Sequence, residues 1–405
     1  SAGAVLLAGG ALLALIWANS PLSASYESLW NSRIALTIAG NSIDLDLRHW
    51  VNDGLMTIFF FVVGLEIKRE ATDGHLSERR AALLPGFAAV GGMLVPALIY
   101  LAIAGSSAPR GWAIPVATDI ALAIGVISVV GKRVPASLRA FLLGLAIVDD
   151  IGAIIIIAAV YSTGVSFGWL LVSIIGVSAS VVARRLGVQS VLLYVVVGIS
   201  IWLGLYQGGV HPTLAGVVMG LLTPAVALKQ TDFVDIEEFP ESSASVDPSS
   251  LGNKARDSVS VVEWLQHVLH PCSSFLIVPI FALANSGIHL SLDGLGDAAG
   301  SAITWGVFFG LILGKPLGVV LATRIAVRSG MSDRPEGSTT RQIVGVGMAA
   351  GIGFTVAMFI TELALTDPIQ QENAKLAILL ASVVAAGLSM LLLKGGGAQS
   401  VGRAT

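Results

Sequence analysis

Phe141-Leu142-Leu143-Gly144-Leu145-Ala146-Ile147-Val148-Asp149-Asp150-Ile151-Gly152-Ala153-Ile154-Ile155-Ile156-Ile157-Ala158-Ala159-Val160-Tyr161 is an apolar run interrupted only by two adjacent carboxylates. Its length is close to the roughly 20 residues that a helix needs to span a bilayer. A charged side chain at the bilayer centre costs roughly 2.5–3.5 kcal/mol on insertion scales, so a pair of acids kept there reads as a site for ions or protons. Asp119 in the apolar run 112–130 and Lys315 in the run 305–324 extend the same argument.

The rest of the chain agrees with a membrane setting. Of its 405 residues, 55% are hydrophobic and 12% charged, against roughly a quarter charged in a soluble domain; the mean hydropathy is +0.84. Repeated runs near 20 residues, without alternating strands of about ten, predict an all-α polytopic protein of about twelve spans rather than a barrel. The first run, 2–19, lacks the basic leading region of a signal peptide and is read as a span. Because the chain opens with Ser, we expect that some N-terminal sequence has been lost. The single Cys272 excludes an internal disulfide framework or a multi-cysteine metal cluster. A net charge of −3 argues against nucleic acid as a partner.

Basic residues fall in the connections after even-numbered spans: Lys68, Arg69, Arg79 and Arg80, then Lys132, Arg133 and Arg139, then Arg184 and Arg185. They continue with Lys229, Lys254 and Arg256, with Arg324, Arg328, Arg334 and Arg341, and with Lys394 and Arg403. The other connections hold Arg33, Arg48, Arg110 and Lys375, so the positive-inside bias predicts that both termini are cytoplasmic. Residues 33–38 and 43–47 alternate apolar and polar around Ala39-Gly40-Asn41-Ser42, which predicts a β-hairpin outside the cytoplasm. A lone hairpin is marginal in water, so it either pairs with a second copy or lies on the protein's own surface. The segment 225–260 is Ser-rich and acidic and reads as a disordered cytoplasmic loop, a passive linker rather than a regulatory element.

Two segments are built to break. Ala113-Ile114-Pro115-Val116-Ala117-Thr118-Asp119 puts a proline, a hydroxyl and a carboxylate at mid-span, and 346–361 carries Gly347, Gly351, Gly353 and Thr355. Broken helices at membrane depth expose amides and carbonyls whose partial charges ions exploit. Asp119 would stabilise positive N-terminal ends meeting there, and Lys315 the facing C-terminal ends. Carboxylate and hydroxyl oxygens suit protons or a small hard cation, not a transition metal. Neighbours on a helix point about 100° apart, so one of Asp149 and Asp150 faces a cavity and the other a partner such as Lys315. The bland alternative is a set of acids that satisfy one another or a lysine structurally. His211 reads as a packed or hydrogen-bonded histidine rather than a ligand.

These residues resemble the NhaA-type sodium/proton antiporters over nearly the whole chain. The resemblance rests on Phe59-Phe60-Phe61-Val62-Val63-Gly64-Leu65-Glu66-Ile67-Lys68-Arg69-Glu70, on Gly111 through Asp119, and on Leu145-Ala146-Ile147-Val148-Asp149-Asp150-Ile151-Gly152-Ala153. Gly209-Val210-His211-Pro212-Thr213-Leu214-Ala215-Gly216, His267-Val268-Leu269-His270-Pro271, Gly314-Lys315-Pro316-Leu317-Gly318 and Gly351-Ile352-Gly353-Phe354-Thr355 follow in order. The resemblance implies twelve helices with two inverted three-helix repeats whose middle helices unwind and cross, an architecture of which this family is itself a standard example.

It further implies blocks 1–80 (helices one and two with the hairpin), 81–161 (core repeat), 162–302 (interface helices with loop 225–260), 303–394 (core repeat) and a cytoplasmic tail, 395–405. Asp149 and Asp150 match the family's cation and proton carriers, Lys315 the lysine that pairs with the first acid, and Asp119 and Thr118 the unwound-helix residues, which count with the two acids as cation- and proton-binding. Sodium, with lithium as a second candidate, exchanges for a larger number of protons by alternating access, electrogenically. No cofactor is implied; sodium and protons are the substrates. The setting is the bacterial inner membrane, the role is sodium and pH homeostasis, and the hairpin matches the family's homodimer contact. Glu66, Arg69, Glu70, His267 and His270 resemble a pH-responsive cluster, which otherwise reads as an ordinary charged helix end. Two departures stand out: Gln266 where the family commonly has Glu, and the long acidic loop. The competing classes are a sodium-coupled symporter or a channel on the same fold, and an intramembrane aspartyl protease, whose carboxylates converge from different helices rather than sitting side by side.

Overall fold

In the computed structural model, the described residues are 2–38, 41–72, 74, 79–162, 164–188, 190–224 and 261–394. The loop 225–260, the tail 395–405 and the hairpin turn at 39–40 lie outside them. Among the described residues eight helices are long and apolar enough to cross a membrane, or ten if each of two bent pairs is one span. The apolar Val191–Gln207 helix and the nine-residue Leu214–Leu222 helix are shorter. With both of these counted, the elements follow the twelve segments read from the sequence. Among the described residues the architecture is that of an all-α polytopic protein with one two-stranded sheet.

That sheet pairs Arg33–Ile38 with Asn41–Asp46, antiparallel, with Ile38 opposite Asn41 and Arg33 opposite Asp46. The second strand therefore starts two residues before the expected Ile43. Asn41 and Ser42 read as turn formers, yet they continue the ladder. On the polar side Arg33 donates to Asp44 at 3.0 Å across the strands. The chain leaves the hairpin through Leu47, whose amide donates to the Ser32 carbonyl at 2.9 Å.

Packing divides the chain into two compact units, each assembled from separate stretches. The larger comprises Ser1–Met56, His75–Thr163 and Ser274–Thr405; the smaller comprises Thr57–Gly74 and Gly164–Ser273. The blocks 81–161 and 303–394 both belong to the larger unit, whereas 1–80 and 162–302 are each shared between the two.

Within the larger unit, each of those two blocks is a helix, an interrupted helix and a helix. The first is Arg79–Ala104, then Pro109–Val116 with Ile120–Val130, then Ala136–Val160. The second is Ala302–Phe309 continuing through Lys315–Arg328, then Thr340–Ala350 with Phe354–Ala364, then Pro368–Lys394. The interruptions have local causes. Pro109 starts a 3₁₀ segment and Pro115 lies inside it; Ala117 and Asp119 are extended, so the helix restarts only at Ile120. On the other side Gly351 follows Ala350, where a Cβ would come to 2.6 Å from the Leu311 carbonyl oxygen. Only glycine permits that approach.

A second close approach sets the position of Lys315. Gly318 lies against Gly91, and a methyl group on either would overlap the backbone of the other helix. Small residues facing each other let membrane helices pack at backbone contact, which brings the start of the Lys315–Arg328 helix to the centre of this unit. The surrounding core is built from Leu84, Ala88, Leu138, Leu142, Leu145 and Val346, all buried.

Candidate functional site

The two interruptions meet. The Asp119 amide donates to the Ile352 carbonyl at 2.6 Å, which ties the extended link of one broken helix to that of the other. Asp119 then serves both restarting helices. Its Oδ1 accepts from the Leu122 amide at 3.0 Å as the N-cap of Ile120–Val130. Its Oδ2 accepts from the Thr355 amide at 3.1 Å and the Thr355 hydroxyl at 2.8 Å, near the start of Phe354–Ala364. The first amides of a helix lack intrahelical partners and carry partial positive charge. One carboxylate, 2% exposed, thus satisfies two helix starts.

Asp149 lies on the uninterrupted Ala136–Val160 helix beside this crossing and is completely buried. Its Oδ2 accepts from the Thr118 hydroxyl at 2.5 Å and forms an ion pair with the Lys315 ammonium, which is also completely buried. Asp149 Oδ1 has no hydrogen-bond partner among the described residues. The Thr118 oxygen also lies 2.8 Å from the Ala350 carbonyl oxygen, at the end of Thr340–Ala350. A hydroxyl carries one proton, so Thr118 donates fully to one of these acceptors at a time. It stays bonded to both neighbours only when one of them supplies a proton of its own and Thr118 accepts it. A carbonyl cannot, and an acid can. Both bonds therefore coexist when a protonated Asp149 donates to the Thr118 oxygen and Thr118 donates to Ala350.

Asp150, the next residue, is 8% exposed where Asp149 is fully enclosed. Lys315 pairs with Asp149, and it is Thr118 that reaches the C-terminal carbonyl of the broken helix. Thr118, Asp119, Asp149, Lys315, Gly351, Gly353 and Thr355 are thus gathered at one crossing.

The other cluster is more dispersed. Arg69 pairs with its neighbour Glu70 at 3.5 Å, and Glu70 is buried while Glu66 is half-buried. His267 and His270 are exposed and make no hydrogen bond or ion pair among the described residues. Between them and the core, Gln266 is buried, and its Oε1 lacks a partner among those residues. His211 hydrogen-bonds the Thr213 hydroxyl at 2.8 Å, and burial pushes its ring down to about 4, so it stays neutral near pH 7.

Two polar pairs, one buried and one partly buried, escaped the sequence reading. Asn52 and Asn285 exchange amide hydrogen bonds at 2.8 and 3.3 Å, and Lys375 pairs with Glu362 at 2.5 Å. Each joins residues far apart in sequence or across a turn, and each partner taken alone looks like a span-end polar residue. The only signal was an Asn, Glu or Lys just inside an apolar run.

A family model described as Na+/H+ antiporter 1 matches residues 1–393. A Na(+)/H(+) antiporter NhaA 2 of Sorangium cellulosum is 45% identical over 408 residues, covering 96% of this chain and 86% of the relative. A protein of the same name from Pseudomonas putida is 44% identical, covering 96% of this chain and 89% of the relative. A Na(+)/H(+) antiporter NhaA of Janthinobacterium sp. is 43% identical with the same coverage.

Proposed function

The chain belongs to the Na+/H+ antiporter 1 family, and from that premise we propose that the Asp149–Asp150 site carries sodium and protons in alternation. The protein is a sodium/proton antiporter, a multi-pass membrane transporter and not an enzyme. The symporter, channel and protease readings draw no support from these relatives.

The observation that carries the mechanism is the sharing of Asp149 between Lys315 and Thr118 at the crossing of two broken helices. A sodium ion arriving at Asp150 and Asp149 competes with Lys315 for the same carboxylate oxygen and displaces protons from the pair. The hydroxyl of Thr118 and nearby carbonyl oxygens are hard donors suited to sodium. Asp119 holds the crossing itself in place, its two oxygens capping the two helix starts. A neutral amide at Asp150 would neither release a proton nor balance a cation.

The cycle is alternating access, with more protons than sodium ions moved per turn and hence electrogenic. Lithium is a second substrate, and no cofactor takes part. The basic residues of alternate connections support cytoplasmic termini and a bacterial inner-membrane location, serving sodium and pH homeostasis. The Arg33–Ile38 and Asn41–Asp46 strands form a homodimer contact, since a two-stranded sheet is marginal by itself. Glu66, Arg69, Glu70, His267 and His270 set the pH response. The deciding experiment is sodium-driven dequenching of a pH dye in proteoliposomes across pH, with and without a potassium-clamped membrane potential. Proton movement that ignores the potential would overturn the electrogenic part.

A further inference from the structure

The Lys315–Arg328 helix runs from the ion-pairing lysine to a cleft of about 180 Å3 at its other end. Val320, Thr323, Arg324, Val327 and Arg328 line it from that helix, at the three- and four-residue spacing of one helical face. Ile343, from Thr340–Ala350, and Arg334, from the intervening connection, stand opposite. We propose that this cleft binds an anionic phospholipid, taking its phosphate between the arginines and the top of an acyl chain against Val320, Val327 and Ile343.

Three observations point to that ligand. Arg324 and Arg328 make no ion pair among the described residues, and Arg334 is held only by neutral partners, the Ser338 hydroxyl at 3.3 Å and the Thr340 hydroxyl at 3.4 Å. Three positive charges therefore stand around the cleft without an ion pair among the described residues. Thr323 is 2% exposed, yet its hydroxyl has no hydrogen-bond partner among the described residues. Buried polar groups are seldom left unpaired in native structures, and a headgroup oxygen would accept from it. The spanning segment Ala302–Arg328 ends at Arg328, which sets the arginines at headgroup depth.

Arginines at span ends ordinarily reach for water; the enclosed Thr323 and the apolar walls are what single out this place. An inorganic phosphate would satisfy the arginines and leave those walls without use. The ligand would bridge the helix that starts at Lys315 and the helix that ends at the Gly351 break, so binding stabilises the site's frame from a distance.

The test uses the purified full chain in detergent, with phosphatidylglycerol, phosphatidylcholine and inorganic phosphate as probes, read by native mass spectrometry and thermal unfolding. Phosphatidylglycerol is expected to bind and raise the unfolding temperature, and the other two to do so far less. Arg324→Gln with Arg328→Gln should weaken phosphatidylglycerol binding about fivefold for each arginine removed, whereas Arg324→Lys with Arg328→Lys, which keeps both charges, should retain most of it. Thr323→Val should leave the lipid-free protein at least as stable and lose most of the lipid-induced rise. An equal response of the double glutamine variant and the parent protein overturns the proposal, as does an equal response to phosphatidylcholine. Inorganic phosphate reproducing the full shift would assign the cleft to a free anion and overturn the lipid.

Discussion

Asp119 and Thr355, 236 positions apart, are joined twice through one carboxylate oxygen, which accepts both the amide and the hydroxyl of Thr355. The second oxygen caps the helix that Asp119 itself begins. Removing the charge should therefore loosen both helix starts together. Hydrogen bonds to charged groups contribute about 1.5–3 kcal/mol each, so Asp119→Asn should lower the unfolding temperature in detergent by several degrees. Thr355→Val keeps the amide contact and loses only the one hydroxyl bond, so it should cost about 1.5–3 kcal/mol, less than Asp119→Asn. Thermal unfolding of both variants checks the order. A smaller effect for Asp119→Asn than for Thr355→Val would show that Asp119 is not the clasp of the crossing.

Much of this site was legible because a charge inside an apolar run is conspicuous and a helix break has local causes. Asp149, Asp150, Asp119 and Lys315 stood out against their runs, and Pro115 with Gly351 and Gly353 marked the two interruptions. The Lys315 pairing with Asp149 was expected as well; what could not be read was the partner of the remaining groups. The Thr118 contact with Ala350 and the Lys375 pair with Glu362 depend on how helices cross, which periodicity does not encode. The strand start at Asn41 was missed for the opposite reason: Asn41-Ser42 has turn-forming residue types, and the ladder overrides that local preference.

Asp150→Asn should abolish sodium/proton exchange while leaving the fold intact. The residue retains some exposure beside the fully enclosed Asp149, and an amide of nearly the same shape fits where the acid stood. Dequenching of a pH dye on sodium addition should fall to the level of protein-free liposomes, with an unfolding temperature close to that of the parent. Exchange at more than a tenth of the parent rate would remove Asp150 from the carrier role.

Lys315 tests the opposite balance. Removing one partner of a buried ion pair typically costs about 3–5 kcal/mol, because the other charge is left unpaired. Lys315→Ala should therefore lower the unfolding temperature markedly, with a smaller fall in the KM for sodium because its competitor for the Asp149 carboxylate is gone. Changing Asp149→Asn together with Lys315→Met removes both charges and should recover much of the stability. Thermal unfolding of Asp149→Asn, Lys315→Met and the double completes the cycle. Additive losses would mean that the pair contributes little to the fold.

Gln266 gives the pH prediction. It is buried, its Oε1 has no partner among the described residues, and the exposed His267 follows it directly. Gln266→Glu places a negative charge beside the cationic members of the proposed cluster, and a nearby anion favours the protonated form of a base. Protons would then leave the cluster at higher pH. If proton loss from the cluster activates transport, the rising limb of the activity profile should move to more alkaline pH in the variant, by up to about one unit for a partly screened neighbour. Sodium-dependent dequenching measured in steps from pH 6 to pH 9 reads the shift directly. Gln266→Met, which removes the unpaired oxygen without adding charge, should leave the limb where it is and keep or raise stability. A limb that stays in place for Gln266→Glu, or moves towards acid, would separate this residue from the pH response.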